Sequence, residues 1–181
     1  MIAPSFNFDL GIKNYQKNRL IVDRVHIKNE IMYNIEKTKK TVFSISAFSY
    51  VNKDNRSFLE SLRDLDASNL LNTFHFYINT SGNVFTNLEM SSESFFYPNS
   101  TNEFNIVICF SGKRSNLGNF KQPLTLYNNN QIKTFSEFIK VFYNNAFDVK
   151  FNNLDVDNNF DKITNLGFDL ENYAKEELAS V

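Results

Sequence analysis

Two histidines, one cysteine and a run of aspartates are the residues of this chain best suited to hold a metal or to drive acid–base and nucleophilic chemistry. Residues 74–85, FHFYINTSGNVF, place His75 in an apolar run that a turn joins to a second one. A catalytic zinc needs three protein ligands and an open position for water, which a lone histidine cannot supply. His75 therefore reads as a core histidine bonded to backbone, and His26 as a strand residue that faces solvent or packs. Asp155, Asp157 and Asp161 begin like a calcium loop, which requires glycine at its sixth place and a bidentate glutamate at its twelfth. Counted from Asp155, those places hold Phe160 and Leu166, so the run reads as a polar turn segment. Cys109 lies inside the apolar stretch EFNIVICFSG and reads as a buried, inert thiol. The glycines of GNVF and SGKRSNLG lack the spacing of a phosphate loop.

Composition narrows the classes further. The chain has 181 residues, enough for one domain with a substantial core. A formal net charge of −1 and a pI of about 6.1 leave no electrostatic footprint for nucleic acid and no polybasic membrane patch. One cysteine excludes a disulfide framework. No apolar run approaches the ~20 residues of a membrane span, and MIAPSFNFDLGIKNYQ has neither the basic nor the apolar region of a signal peptide. Phe occurs 20 times and Trp never, and asparagine is frequent, with NNN at 128–130. Phe, Asn, Ile and Lys are residues of AT-rich codons, so the bias reads as the signature of an AT-rich bacterium or its phage. The asparagines are scattered between apolar positions rather than massed in a low-complexity tract.

The elements that would position these residues follow from periodicity. RLIVDRVHI at 19–27 alternates and is rich in β-branched residues, which predicts a strand. KTVFSISAF at 40–48 predicts another. DNRSFLESLRDLD at 54–66 spaces Phe58, Leu59, Leu62 and Leu65 for a helix. FHFYI and NVFTNL form a hairpin in which Gly82 supplies positive φ. Residues 103–112 are continuously apolar, as in a central strand buried on both faces. From Asn128 to Tyr143, Ile132, Phe135, Phe138, Ile139 and Phe142 make one helical stripe, which reads as core. GFDLENYAKEEL at 167–178 predicts a closing helix. The order implies an α/β (α+β) domain, a mixed central sheet flanked by helices.

Over residues 32–178 the order and spacing of these stretches resemble the zinc-dependent N-acetylmuramoyl-L-alanine amidases of the phage-lysozyme type, the family that includes the peptidoglycan recognition proteins. TVFSISAFS resembles the first core strand, FHFYINTSGNVF the Tyr-His strand and hairpin, and NIVICFSG the Cys- and Gly-containing strand. NLGNF resembles a Gly-x-Phe loop, NNNQIKTFSEFIKVFY the helix with its early glutamine at Gln131, and NLGFDLENYAKEEL the closing segment. The resemblance implies an amidase-like single domain at 32–181 preceded by an N-terminal extension at 1–31 whose strand could dock a partner. In such an amidase two histidines and a cysteine hold zinc, and a tyrosine and a lysine support the tetrahedral intermediate. Here the first histidine place falls at Ile45, with Ser44 and Ser46 as neighbours if the register slips by one. The tyrosine place falls at Phe74, the second histidine near Asp157, the lysine at Ile163, with Lys162 one residue away, and the cysteine at Asn165. All five are replaced, which implies a pseudoenzyme with no zinc and no other cofactor.

The resemblance then leaves three expectations. The first, favoured here, is a non-enzymatic structural or assembly component of a phage virion, in its tail, baseplate or head-proximal part. The second is a regulatory binder such as an inhibitor of RNA polymerase. The third, a peptidoglycan-binding module, is disfavoured: its groove would be lined by Ile45, Phe74, Phe95, Phe96 and Tyr97, whereas wall peptides carry carboxylates. Phe95, Phe96 and Tyr97 are expected either to plug that groove or to touch a partner protein. The expected location is a virion or the host cytoplasm, with protein partners, no nucleic acid and no membrane span.

Overall fold

In the computed structural model, which describes residues 20–21, 24–98, 103–115, 119–146, 148–157 and 159–179, two ten-residue strands form the spine of the sheet. They are β2 (Val42–Val51) and β5 (Glu103–Gly112), taken in the chain-order numbering of β1 (Leu20–Ile21), β3 (Phe76–Ile78), β4 (Val84–Thr86), β6 (Asp148–Phe151) and β7 (Ile163–Asn165). β2 and β5 run parallel from Val42↔Glu103 to Val51↔Gly112. Parallel strands are covered on both faces, which is why both read as near-continuous apolar runs. The seven-stranded sheet has the order β1-β4-β3-β5-β2-β6, and β7 also pairs with β2. Parallel pairs (β2 with β5 and β6, β3 with β5) and antiparallel pairs (β1–β4, β3–β4, β2–β7) make it a mixed sheet. The sheet and its flanking helices give the expected α/β (α+β) class.

Side-chain alternation divides the core in two. Phe43, Ile45 and Ala47 of β2 and Phe104, Ile106, Ile108 and Phe110 of β5 point to one face. There they meet α1 (Arg24–Thr38), α4 (Asn129–Asn145) and α5 (Leu170–Ala179). Phe48 and Tyr50 of β2 and Val107 and Cys109 of β5 point to the other, under α2 (Phe58–Ala67). The stripe of α4 buries Phe135, Phe138, Ile139 and Phe142. A fully buried side chain of this kind contributes about 1.5–3 kcal/mol. A capping box starts α4: Asn128 Oδ1 accepts the Gln131 N–H at 2.9 Å, and Gln131 Oε1 accepts the Asn128 N–H at 3.2 Å. Ser57 caps α2 by accepting the Glu60 N–H. α3 (Pro123–Leu126) is a single turn ahead of α4.

The hairpin at 76–86 forms as expected. Gly82 has φ +81°, and Asn79 Oδ1 accepts the N–H groups of Ser81 and Asn83. The expected strand at 19–27 does not form as such. Among its described residues, Leu20 and Ile21 pair with Phe85 and Val84 of β4, and Arg24 onward is helical. The apolar side of α1 is narrow: Ile31 is fully buried and Ile35 partly, but the intervening core position is Asn34. Asn34 satisfies its own amide by donating to Glu30 O at 2.7 Å. The expected boundary at residue 31 thus falls inside one helix, and residues 1–19 and 22–23 of the proposed extension lie outside the described residues. β6 and β7 are short additions to β2 that periodicity did not predict.

Candidate functional site

The face of the sheet beneath α2 is where the resemblance would place metal chemistry. On β2 the residues of this face are Ser44, Ser46, Phe48 and Tyr50, by the alternation that seats Phe48 and Tyr50 there. β7 lies against β2 with Asn165 opposite Phe48 and Ile163 opposite Tyr50. The segment after β4 crosses the same face. Phe96 meets Phe48 edge-on with centroids 5.6 Å apart and Phe160 at 5.8 Å. The Tyr97 hydroxyl lies 3.2 Å from Ser44 Oγ, which accepts a bond from Asn152 Nδ2 at 2.7 Å. Ser94 anchors the segment by donating to Thr73 O.

Of the five places expected from the resemblance, the structure brings three together. Phe74 is fully buried and meets Phe48 edge-on at 6.3 Å. Ile163 is fully buried in the same cluster. Asn165 is buried, and its Oδ1 accepts the Val156 N–H at 2.7 Å. Ile45 is not with them; it packs on the opposite face, against α4 and α5. The neighbours Ser44 and Ser46 lie on the face beneath α2 instead, because moving one position along a strand reverses its side-chain direction. Asp157 is exposed in a turn, its Oδ1 accepting the Asn159 N–H at 2.9 Å. An aromatic ring, an aliphatic side chain and an already bonded amide do not fit a zinc ion. Among the described residues, no three His, Cys, Asp or Glu side chains come together.

The three aromatics at 95–97 divide. Phe96 and Tyr97 turn inward onto the core, while Phe95 is 69% exposed. Ser46 of β2, fully buried, has a hydroxyl with no hydrogen-bond partner among the described residues.

His75 is fully buried. Its Nδ1 accepts the Val107 N–H at 3.0 Å, and its Nε2 lies 2.7 Å from Ser92 O. A main-chain N–H can only donate and a carbonyl can only accept, so the proton resides on Nε2. Burial lowers its pKa to about 4, against the smaller opposing effect of the two backbone bonds. Cys109 is buried and its thiol is pushed up by desolvation, which keeps it protonated and unreactive. The His26 side chain lies outside the described residues.

A charged constellation at the carboxyl end of β2 was not anticipated from sequence. The Tyr50 hydroxyl donates to Asp64 Oδ2 at 2.7 Å. Arg56 Nη1 reaches the same oxygen at 2.8 Å, and Lys162 Nζ reaches Asp64 Oδ1 at 3.2 Å. Burial, reinforced by the bond to Asp64, pushes Tyr50 up to about 12. Burial alone would raise Asp64, but Tyr50, Lys162 and Arg56 outweigh it and hold its carboxyl below the usual range. These residues come from β2, the loop after it, α2 and the start of β7, so no local spacing announces them.

Comparison with family models, with curated proteins and with solved structures finds no match to this chain.

Proposed function

We propose that this chain is a non-enzymatic protein-binding component of a larger assembly, a phage particle being the assembly to which the family resemblance points. The observation that carries the reading is the aromatic filling of the face beneath α2. Phe74 and Phe96 both pack against Phe48 there, Ile163 joins the same cluster, and Tyr97 ties the covering segment to Ser44. A hydrolytic site needs a water-accessible polar centre with ligands free to bind. This face offers a packed apolar interior, and a site can be lost while the fold is kept for its surfaces. Phe95, projecting beside the filled face, is the contact assigned to a partner protein.

Sedimentation of a lysate of producing cells tests this. The chain is expected to travel with the particle fraction, and Phe95→Asp to move it to the top of the gradient. Wild-type chain found only at the position of a free 21.1 kDa protein would overturn the assembly role. Release of soluble muropeptides from purified peptidoglycan by the pure chain would overturn the non-enzymatic one.

A further inference from the structure

We propose that the cleft at the carboxyl ends of β2 and β5 binds a phosphorylated small molecule through Arg56, Arg114 and Lys162. The cleft has a volume of about 600 Å³ and opens beyond Val51. Val51 pairs with Gly112, the last residue of β5, so the loops leaving both parallel strands emerge at one edge. That edge is where α/β sheets leave a crevice for ligands.

The loop after β2 is fixed in advance. Asn52 Oδ1 accepts the Arg56 N–H at 2.7 Å, and Asn52 Nδ2 donates to Ser111 Oγ of β5 at 2.8 Å. Arg56 and Lys162 share the carboxylate of Asp64 at the base of the cleft. Arg114 is placed by neutral groups: its Nη2 donates to the carbonyls of Phe160 at 3.1 Å and Asp161 at 2.8 Å. Asp54 stands at the rim, 73% exposed and 3.7 Å from Arg56 Nη2. Lys53 lies beside it on the loop, and Asp161 completes the wall. Four cations thus line the cleft against three carboxylates, an excess of one positive charge, and Arg114 is held by carbonyls alone.

A doubly charged phosphoryl group suits this arrangement better than a carboxylate. It offers three oxygens to two guanidinium forks and an ammonium, and it carries the second charge that the clustered cations favour. A cavity of this size is within the ~300–1,000 Å³ range of small-molecule sites and far exceeds what phosphate alone would fill. The room left over is for the body of the ligand.

Calorimetric titration of the full chain at constant ionic strength tests the assignment with ribose 5-phosphate, inorganic phosphate, acetate and a phosphoserine peptide as probes. Ribose 5-phosphate is expected to bind, with inorganic phosphate weaker and acetate weaker still. Arg114→Gln, which removes only contacts to two surface carbonyls, should lower the ribose 5-phosphate affinity about tenfold. Lys162→Gln should do the same, and Lys175→Gln on α5 should leave it unchanged. Three results would overturn the proposal: ribose 5-phosphate binding no better than acetate, Arg114→Gln binding like wild type, or the phosphopeptide binding more tightly than ribose 5-phosphate.

Discussion

His75 Nδ1 accepts the main-chain N–H of Val107 at 3.0 Å, and this one bond dictates the charge state of the ring. Protonation would place a second N–H against that of Val107 inside a fully buried site. The folded chain therefore holds the neutral imidazole down to about pH 4, whereas the unfolded chain takes up its proton near 6.5. Stability from this group is complete above 6.5 and falls as pH drops toward 4, by roughly 3 kcal/mol across that window. His75→Phe removes the titration but leaves the Val107 N–H and Ser92 O unpaired, at about 1–3 kcal/mol each. Urea unfolding at a series of pH values should show the variant weaker at pH 7 and less sensitive to acid than wild type. An equal loss in both proteins between pH 6.5 and 4 would contradict this account.

Phe95 and Phe96 are neighbours in sequence with opposite environments, and their substitutions should separate accordingly. Phe96 touches Phe48 and Phe160, so Phe96→Ala removes buried area and opens space beneath the segment, costing about 2–4 kcal/mol. Phe95→Ser should change the stability of the isolated chain by less than about 0.5 kcal/mol. Guanidinium midpoints of the two variants give the comparison. Equal costs would mean that Phe95 is part of the core.

Ser46 is a fully buried hydroxyl with no hydrogen-bond partner among the described residues. Desolvating a hydroxyl without a partner is unfavourable, so Ser46→Ala should raise stability by about 1 kcal/mol despite the smaller side chain. Thermal unfolding at pH 7 measures it. A lower melting temperature in the variant would show that the hydroxyl is bonded in solution.

Long one-sided patterns made much of the fold legible. β5 announces itself as an unbroken apolar run, α4 as a stripe of phenylalanines, and the hairpin through Asn79 and Gly82. α1 was hidden because its inward face includes Asn34, bonded within the helix rather than apolar. β7 has three residues and takes its place only through pairing with β2. The site was less legible for two physical reasons. Face assignment along a strand depends on parity, so Ile45 and Ser46 differ by one position and by the whole thickness of the sheet. The charged cleft draws on separate loops, and only tertiary structure brings Arg56, Asp64, Arg114 and Lys162 to one edge.

Asp64 receives the Tyr50 hydroxyl, Arg56 and Lys162 on its two oxygens, and removing its charge should do more than remove one bond. In Asp64→Asn, Lys162 loses its counter-ion and Arg56 keeps only the exposed Asp54, and the expected cost at pH 7 is about 1–3 kcal/mol. The carboxyl of Asp64 is held below the 3.8 of an ordinary aspartate, so its contribution is present above that value and is lost as pH falls through the folded one. The gap between wild type and variant should therefore persist at pH 5, where His75 titrates equally in both, and close below 3.8. Tyr50 gives the matching alkaline effect. Its phenol is pushed from 10 up to about 12, so the stability tied to the neutral hydroxyl is complete below 10 and falls as pH rises toward 12. Tyr50→Phe should reduce that alkaline slope without abolishing it, since burial also raises the phenols of Tyr77, Tyr127 and Tyr173, and should leave the acid slope of Asp64 in place, since Arg56 and Lys162 still hold the carboxylate. Unfolding midpoints of the two variants across both pH ranges check this, and a gap for Asp64→Asn that stays constant below pH 3.8 would rule the ion-pair account out.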